Sequence, residues 1–303
     1  MDINNNFRQW PAFVFFIFCL ALLAAQEKSA VNFLQVPAEV VVPGSKPLPG
    51  PLRVTFFGNC GFLVQADGSK VLFDLESPEK ASDKAAADEA YRLLAEAAPP
   101  FDGLVTVLIS HAHPDHVGIK EMAGCLEKNR KLKLYSTADT WDELKQAGAP
   151  ASWLGERVFV VAPGESRSLN KVLDGMEVEF LELLHAGAPD YVFNDLCFVV
   201  TFGGVRVFYL SDVDPGFKKN RVILEKWSRE NERIDLLFST DANLYETPWS
   251  TAGAATIKKL IRPERVVAMH LDPRAVDQAE SKVKENFPAA IVFRTAGSAV
   301  EFR

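Results

Sequence analysis

The sequence predicts an α/β protein in which two mixed β-sheets carry helices outside. Three observations point there. From residue 52 onward short β-rich runs alternate with amphipathic stretches. Some strands follow each other through tight turns, so they pair antiparallel, while others are separated by a helix, as parallel neighbours require. A doubly wound parallel sheet would need a crossover between every pair of strands, which this order lacks.

Taken in order, 52–57, 62–66 and 70–74 read as an antiparallel meander whose second turn is Asp67-Gly68. The Ala-rich stretch 81–97 places Ala90, Leu93, Leu94 and Ala97 on one helical face and is stopped by Pro99. Residues 104–110 are continuously apolar, the pattern of a strand buried on both faces. A helix follows from Val117, and another is capped by Thr137 or Asp139. Strands recur at 158–161, 176–183, 196–202, 205–210 and 236–240. A helix at 251–261, a strand at 266–269, a helix at 276–287 and strands at 290–293 and 299–302 complete the chain.

Composition limits the functional class. Of 303 residues 48% are hydrophobic and 24% charged, a globular balance that excludes disordered and collagen-like chains. With 40 acidic against 33 basic side chains the net charge is −7, which repels a phosphate backbone, so a small molecule is the expected partner and nucleic acid is not.

The first 25 residues stand outside the fold. Pro11 to Ala25 is an uninterrupted apolar run between Arg8 and the polar Gln26, Glu27 and Lys28. It is shorter than the roughly 20 residues that span a bilayer, and Ala24 and Ala25 sit where a signal peptidase cuts. The expectation is a secretory signal peptide, a periplasmic or secreted chain, and no stable membrane span once the signal is removed; an uncleaved anchor is the alternative. Residues 26–51, with Pro37, Pro43, Pro47, Pro49 and Pro51, form an extended lead-in, and 52–303 a single domain. Cys19 leaves with the signal. Cys60, Cys125 and Cys197 remain, read as small buried hydrophobes rather than as a bridge.

Directly after the buried strand comes His111-Ala112-His113-Pro114-Asp115-His116, four ligand-type side chains in six residues. His111 and His113 alternate onto one side of an extended segment, while Asp115 and His116 fall in the turn into the next helix. That division suits two adjacent metal ions better than one. Imidazole with carboxylate is the ligand chemistry of zinc or iron. His185 and His270 each follow an apolar strand, as does Asp212, and these complete the 5 histidines of the chain. An isolated strand-end histidine would ordinarily be a satisfied core residue; beside the first motif it reads as a ligand. Asp214 is a weaker competitor of Asp212.

This order of ligands resembles the metallo-β-lactamase superfamily across residues 52–303, and the resemblance implies the αββα fold. The phrases Phe57-Gly58-Asn59-Cys60-Gly61-Phe62 and Leu72-Phe73-Asp74, the Ala254-containing helix before Arg262-Pro263, and Val267-Ala268-Met269-His270 resemble its L-ascorbate-6-phosphate lactonase-like branch. So does the spacing of His185 before Asn194. Three positions depart from that branch: Asn59 stands where His is common, Ser211 where Gly is usual, and Thr240-Asp241 replaces a glycine pair.

The resemblance implies that His111, His113 and His185 hold one divalent ion, that Asp115, His116 and His270 hold the other, and that Asp212 bridges them. It implies a metal-dependent hydrolase in which a hydroxide shared by the two ions attacks a small ester, lactone or phosphodiester, with Asp115 as the catalytic orienter and proton acceptor. Zinc is the first choice of metal and manganese or iron the second. Asp212 argues against β-lactamase activity, because those enzymes carry Cys or a non-ligand there. His113 argues against the oxygen-reducing iron relatives, which usually carry Glu. A non-catalytic metal-binding protein on the same fold and an iron-dependent oxidoreductase are the alternatives. Asp74 is a candidate to hold a ligand histidine in its tautomer. Asn194, Asp241, Asn243 and Tyr245 are candidate substrate contacts on loops at the same end of the sheets.

Overall fold

The computed structural model describes residues 37–303 apart from 44, 165–166, 187–193, 232, 246, 248–249 and 251. The expected signal at 1–25, the start of the lead-in and most of the loop before Asn194 lie outside the described residues. The lead-in ends in β1 (Ala38–Val40), and the predicted meander is β2 (Leu52–Gly58), β3 (Gly61–Ala66) and β4 (Ser69–Phe73). Between β3 and β4, Asp67 and Gly68 take φ of +48° and +74°, the two positive values that a type I′ hairpin needs. β4 then runs parallel to β5 (Thr106–Leu108), β6 (Lys133–Ser136) and β7 (Val158–Val160).

The helices α1 (Lys84–Glu96), α2 (Ile119–Lys128) and α3 (Ala138–Gln146) connect these parallel strands. α1 begins where Asp83 accepts the Ala86 N–H and ends at Ala97 in the left-handed region, with Ala86, Ala90 and Leu94 buried. Thr137 caps α3 by accepting the Thr140 N–H.

The second sheet contains β8 (Ser168–Leu173), β9 (Met176–Leu184), β10 (Asn194–Phe202), β11 (Val205–Tyr209), β12 (Leu236–Thr240), β13 (Val266–Met269) and β14 (Ile291–Val292). β8 to β11 are antiparallel, and β11 to β14 are parallel. Its helices are α4 (Lys218–Glu230), α5 (Asp241–Leu244), α6 (Gly253–Thr256) and α7 (Val276–Asn286). The last strand, β15 (Ala299–Phe302), returns to the first sheet between β1 and β2.

Three apolar clusters define the four layers. Phe62, Phe73, Phe180, Phe198, Tyr209 and Phe238 fill the space between the sheets, with Phe73 stacked on Tyr209 at 4.9 Å. A second cluster lies between the first sheet and α1–α3, and a third between the second sheet and its helices. The expected αββα sandwich of two mixed sheets is the observed fold.

Several local expectations need correction. The strand expected at 104–110 pairs only over Thr106–Leu108, because the chain beyond Leu108 turns out of the ladder to carry His111. The helix expected at 251–261 is the short α6 followed by a wider π turn, Ile257–Ile261, that stops at Arg262 with φ +55°. β6, β8 and α4 were not anticipated: β8 is a half-exposed edge strand, and α4 buries only Asn220, Leu224 and Trp227, so neither displays a strong apolar period. Cys60, Cys125 and Cys197 are buried free thiols. Among the described residues no helix is long and apolar enough to cross a membrane.

Candidate metal centre

β5, β9, β11 and β13 end on one rim of the sandwich, and the seven ligand-type side chains gather there. His111 leaves the end of β5, where the Ile109 N–H still bonds Tyr135 O. The loop then tightens: the N–H groups of His116 and Val117 both donate to His113 O at 2.9 Å, which turns His116 inward while His113 stays exposed. His185 follows β9 and is held to the Asp212 segment by the Ala186 N–H donating to Asp212 O at 2.6 Å. Four residues around the rim take positive φ, Asn59 (+38°), Asp74 (+43°), Ser211 (+55°) and His270 (+59°). Left-handed backbone at non-glycine positions is costly and concentrates at functional sites. It also explains why a glycine before Asp212 would be unstrained where Ser211 is not.

Two clusters result. One ligand atom from each of His111, His113 and His185 lies within 4.8 Å of the other two, and the same holds for Cys60, His116, Asp212 and His270. Asp212 Oδ2 lies 3.3 Å from His116 Nε2, 3.3 Å from His270 Nε2 and 3.9 Å from His185 Nε2, so one carboxylate reaches both clusters. Asp115 Oδ2 is 2.9 Å from His270 Nε2 and 4.0 Å from His116 Nε2. His111 Nε2 and His113 Nδ1 approach to 2.9 Å.

Ring orientations are set from behind. His116 Nδ1 meets Asp74 Oδ2 at 2.7 Å, and His185 Nδ1 donates to Ala186 O at 2.5 Å, which turns both Nε2 atoms toward the centre. His111 Nδ1 is 3.0 Å from Ser110 Oγ and 3.5 Å from Asp195 Oδ1. Asp74, fully buried, also accepts from the Ser110 N–H (2.8 Å), the Ser110 hydroxyl (2.8 Å) and the Tyr209 hydroxyl (2.6 Å).

Electrostatics follow from this crowding. Burial, reinforced by neighbouring His116, holds His111 well below the ordinary imidazole value, and burial lowers His185. Burial would raise Asp212, yet His116 and His270 outweigh it and hold the carboxyl well below its usual range. His270 moves the other way: burial opposes its charging, but Asp212 and the bond to Asp115 raise it to about 9. Charge is thus held in imidazolium–carboxylate pairs that cations can replace.

The residues present fit divalent metals. His116 Nε2, His185 Nε2 and Asp212 Oδ1 are buried without a hydrogen-bond partner, a costly state for three polar atoms at the two clusters unless cations satisfy them. Imidazole and carboxylate donors together are suitable for zinc and for iron.

The other candidates separate. Asp74 touches His116 directly. Asp241 accepts from the Tyr245 hydroxyl at 2.8 Å; burial raises its carboxyl, while His270 pulls it down and Asp212 pushes it up. Asn243 is not a loop residue open to substrate: it is 1% exposed, and its amide donates to Val213 O at 2.7 Å, bracing the turn after Asp212. Asn194 is exposed at the start of β10, opposite Leu184. Asp214 is engaged by the Gly216 N–H (2.8 Å) and the Ser250 hydroxyl (2.9 Å). Asn59 donates to Asp115 O at 3.0 Å and so steadies the motif loop.

Sequence reasoning missed two groups. Asp195 is wholly buried behind His111, its carboxyl raised by burial and by Asp212; the signal was an acid directly before the apolar run Leu196–Phe202. Cys60 stands beside the second cluster as a thiol that burial pushes up to about 12.

A family model described as the beta-lactamase superfamily domain matches residues 83–271, more than half of the chain. The chain belongs to the beta-lactamase superfamily. Solved structures of the superfamily's fold agree. The metallo-beta-lactamase fold protein YhfI from Bacillus subtilis superposes with a TM-score of 0.56 at 17% identity, covering 83% of this chain and 99% of that one. Igni18, a metallo hydrolase from Ignicoccus hospitalis, gives 0.52 at 19%, covering 84% and 99%. CmlA, a diiron β-hydroxylase from Streptomyces venezuelae, gives 0.53 at 14%, covering 85% of this chain and 55% of that one. No match was found among curated proteins.

Proposed function

We propose that this superfamily member is a dinuclear metal-dependent hydrolase of a small ester, lactone or phosphodiester, with zinc as its ion and a periplasmic or secreted location. The lactonase-like branch is the closest reading of its motifs. The observation that carries the proposal is Asp212, whose Oδ2 reaches His185 in one cluster and His116 and His270 in the other. His111, His113 and His185 would hold one ion, Asp115, His116 and His270 the second, and Asp212 both.

When bound, two such ions supply an activated water and positive charge for the oxyanion of the transition state. The chain's own residues do the rest. Asp115 sits at the open side of the centre, its side chain 38% exposed, where its carboxylate can orient the attacking water and take its proton. Asp74 and Ala186 O fix the tautomers of His116 and His185, and Ser110 with Asp195 backs His111. No serine or cysteine nucleophile is required.

The test combines metal content per chain with a screen of esters, lactones and phosphodiesters, on the wild type and Asp115→Asn. Two zinc ions per chain, hydrolysis by the wild type and loss of at least about 100-fold in the folded variant are expected. Unchanged turnover in Asp115→Asn overturns the role of Asp115. A coloured protein with bound iron and no hydrolysis favours the oxidoreductase reading that the diiron relative suggests.

A further inference from the structure

Beside the second cluster a cleft of about 290 Å³ opens, with Asp115 in its lining. Two aromatic rings line it, Phe56 and Phe293, stacked at 5.4 Å. One group in it is unexplained. Glu76 is only 5% exposed, yet its carboxylate has no hydrogen-bond or ion-pair partner among the described residues. Its position is built rather than accidental. The N–H groups of Leu75 and Ser77 on either side donate to His116 O (2.8 Å) and Pro114 O (2.7 Å), so the segment is pinned to the ligand loop. The carboxyl lies in the space that a side chain at Gly58 would fill, so glycine is required there.

The cations of the cleft do not answer this carboxylate. Arg294 is tied to Asp277 and Glu280, and Lys80 is exposed at the rim. A buried carboxylate facing a cleft, with Asp115 also lining it and aromatic faces around, favours a cationic donor: the carboxylate satisfies its charge and N–H groups, and the rings add cation–π attraction. Burial first, and Asp115 second, raise Glu76 to about 7, although His116 and His270 pull it down from the side of the metal centre.

We propose that this cleft is the specificity subsite of the enzyme and that Glu76, in a cleft shared with the Phe56 and Phe293 rings, anchors a protonated amine carried on a ring-sized apolar part of the substrate. The word substrate rests on the hydrolase reading; the binding itself does not. A small aminated ester, lactone or phosphodiester is then the substrate class, its scissile group lying over Asp115 while its ammonium lies against Glu76. A volume of this size has room for one ring with a short arm.

The experiment is calorimetric or protein-observed NMR binding of benzylamine, benzyl alcohol and benzoate to the zinc-loaded chain at neutral pH, with no turnover involved. Benzylamine is expected to bind roughly tenfold or more tightly than the other two, since a charge-assisted hydrogen bond to a buried carboxylate is worth that much. Glu76→Gln, which preserves shape, is expected to erase the preference, and Glu76→Asp to retain part of it. Equal binding of the three probes overturns the proposal, as does an amine preference that survives in Glu76→Gln, which would mark coordination to zinc. Should Glu76-dependent amine binding be found without hydrolysis of any ester, lactone or phosphodiester, the subsite stands and the hydrolase reading fails.

Discussion

Asp74 is the buried acceptor on which the centre's scaffold converges, and its replacement has a calculable cost. Its two oxygens receive the Ser110 N–H, the Ser110 and Tyr209 hydroxyls and His116 Nδ1. In Asp74→Ala the Tyr209 hydroxyl can still donate to Cys60 O at 3.1 Å, but the Ser110 N–H and His116 Nδ1–H lose their acceptor while fully buried. Two orphaned buried donors cost about 1–3 kcal/mol each. Alanine at φ +43° adds about 1 kcal/mol of backbone strain that Asp and Asn tolerate better. The sum, about 3–7 kcal/mol, is a large part of the 5–15 kcal/mol that holds a typical domain together. Asp74→Asn keeps the shape, but its NH2 must face at least the Ser110 N–H, so one clash of donors remains and about 1–3 kcal/mol is lost. Guanidinium unfolding of metal-free protein measures both values. A competitive zinc titration should show affinity falling about 10- to 100-fold in the Asn variant, because His116 loses its orienting acceptor. If Asp74→Asn unfolds at the wild-type midpoint and binds zinc equally well, the claim that Asp74 positions His116 is wrong.

Other outcomes follow from the same geometry. In metal-free protein His270 is raised from 6.5 to about 9, so the folded state binds its proton more tightly than the unfolded chain; that contribution is complete below about 6.5 and is lost as pH rises through 9. The midpoint of thermal unfolding should therefore fall across this window, and less steeply in His270→Asn; parallel profiles would refute the linkage. Chelation should lower the unfolding temperature and added zinc restore it, by about 4 kcal/mol at a thousandfold excess over the dissociation constant, whereas an unchanged melt would mean that the orphaned ligand atoms are not satisfied by metal. Phe73→Ala, which removes the ring stacked on Tyr209 between the sheets, should cost about 3–5 kcal/mol by denaturant unfolding; a loss under about 1 kcal/mol would show that the inter-sheet core is loosely packed there.

Much of this was legible in the chain itself because its signals are local. The meander announces itself through Asp67-Gly68, and α1 through its apolar face and its stop near Pro99. The ligand motif is dense enough to be read from six consecutive residues. Elements with weak local signals were lost: β8 alternates without a buried face of its own, and α4 buries three residues in thirteen. Asn243 was misjudged for a related reason, since an asparagine near a strand end looks like a loop residue until its amide is seen to donate to Val213 O.

By itself, then, the sequence determined the meander, most of the later strands and helices, their mixed-sheet class and the identity of the side chains that strand ends would present. Periodicity and turn chemistry act over a few residues, and those are the distances on which such features are decided. Only the tertiary structure decided which acid stands behind which histidine. Asp74 meets His116 across 42 positions and Tyr209 across 135, contacts set by the register between strands and the packing of one sheet on the other. The same holds for Glu76, whose lack of a partner is a property of the cleft around it: a charge is unpaired only relative to everything that could have reached it, and that is known only once the chain is folded.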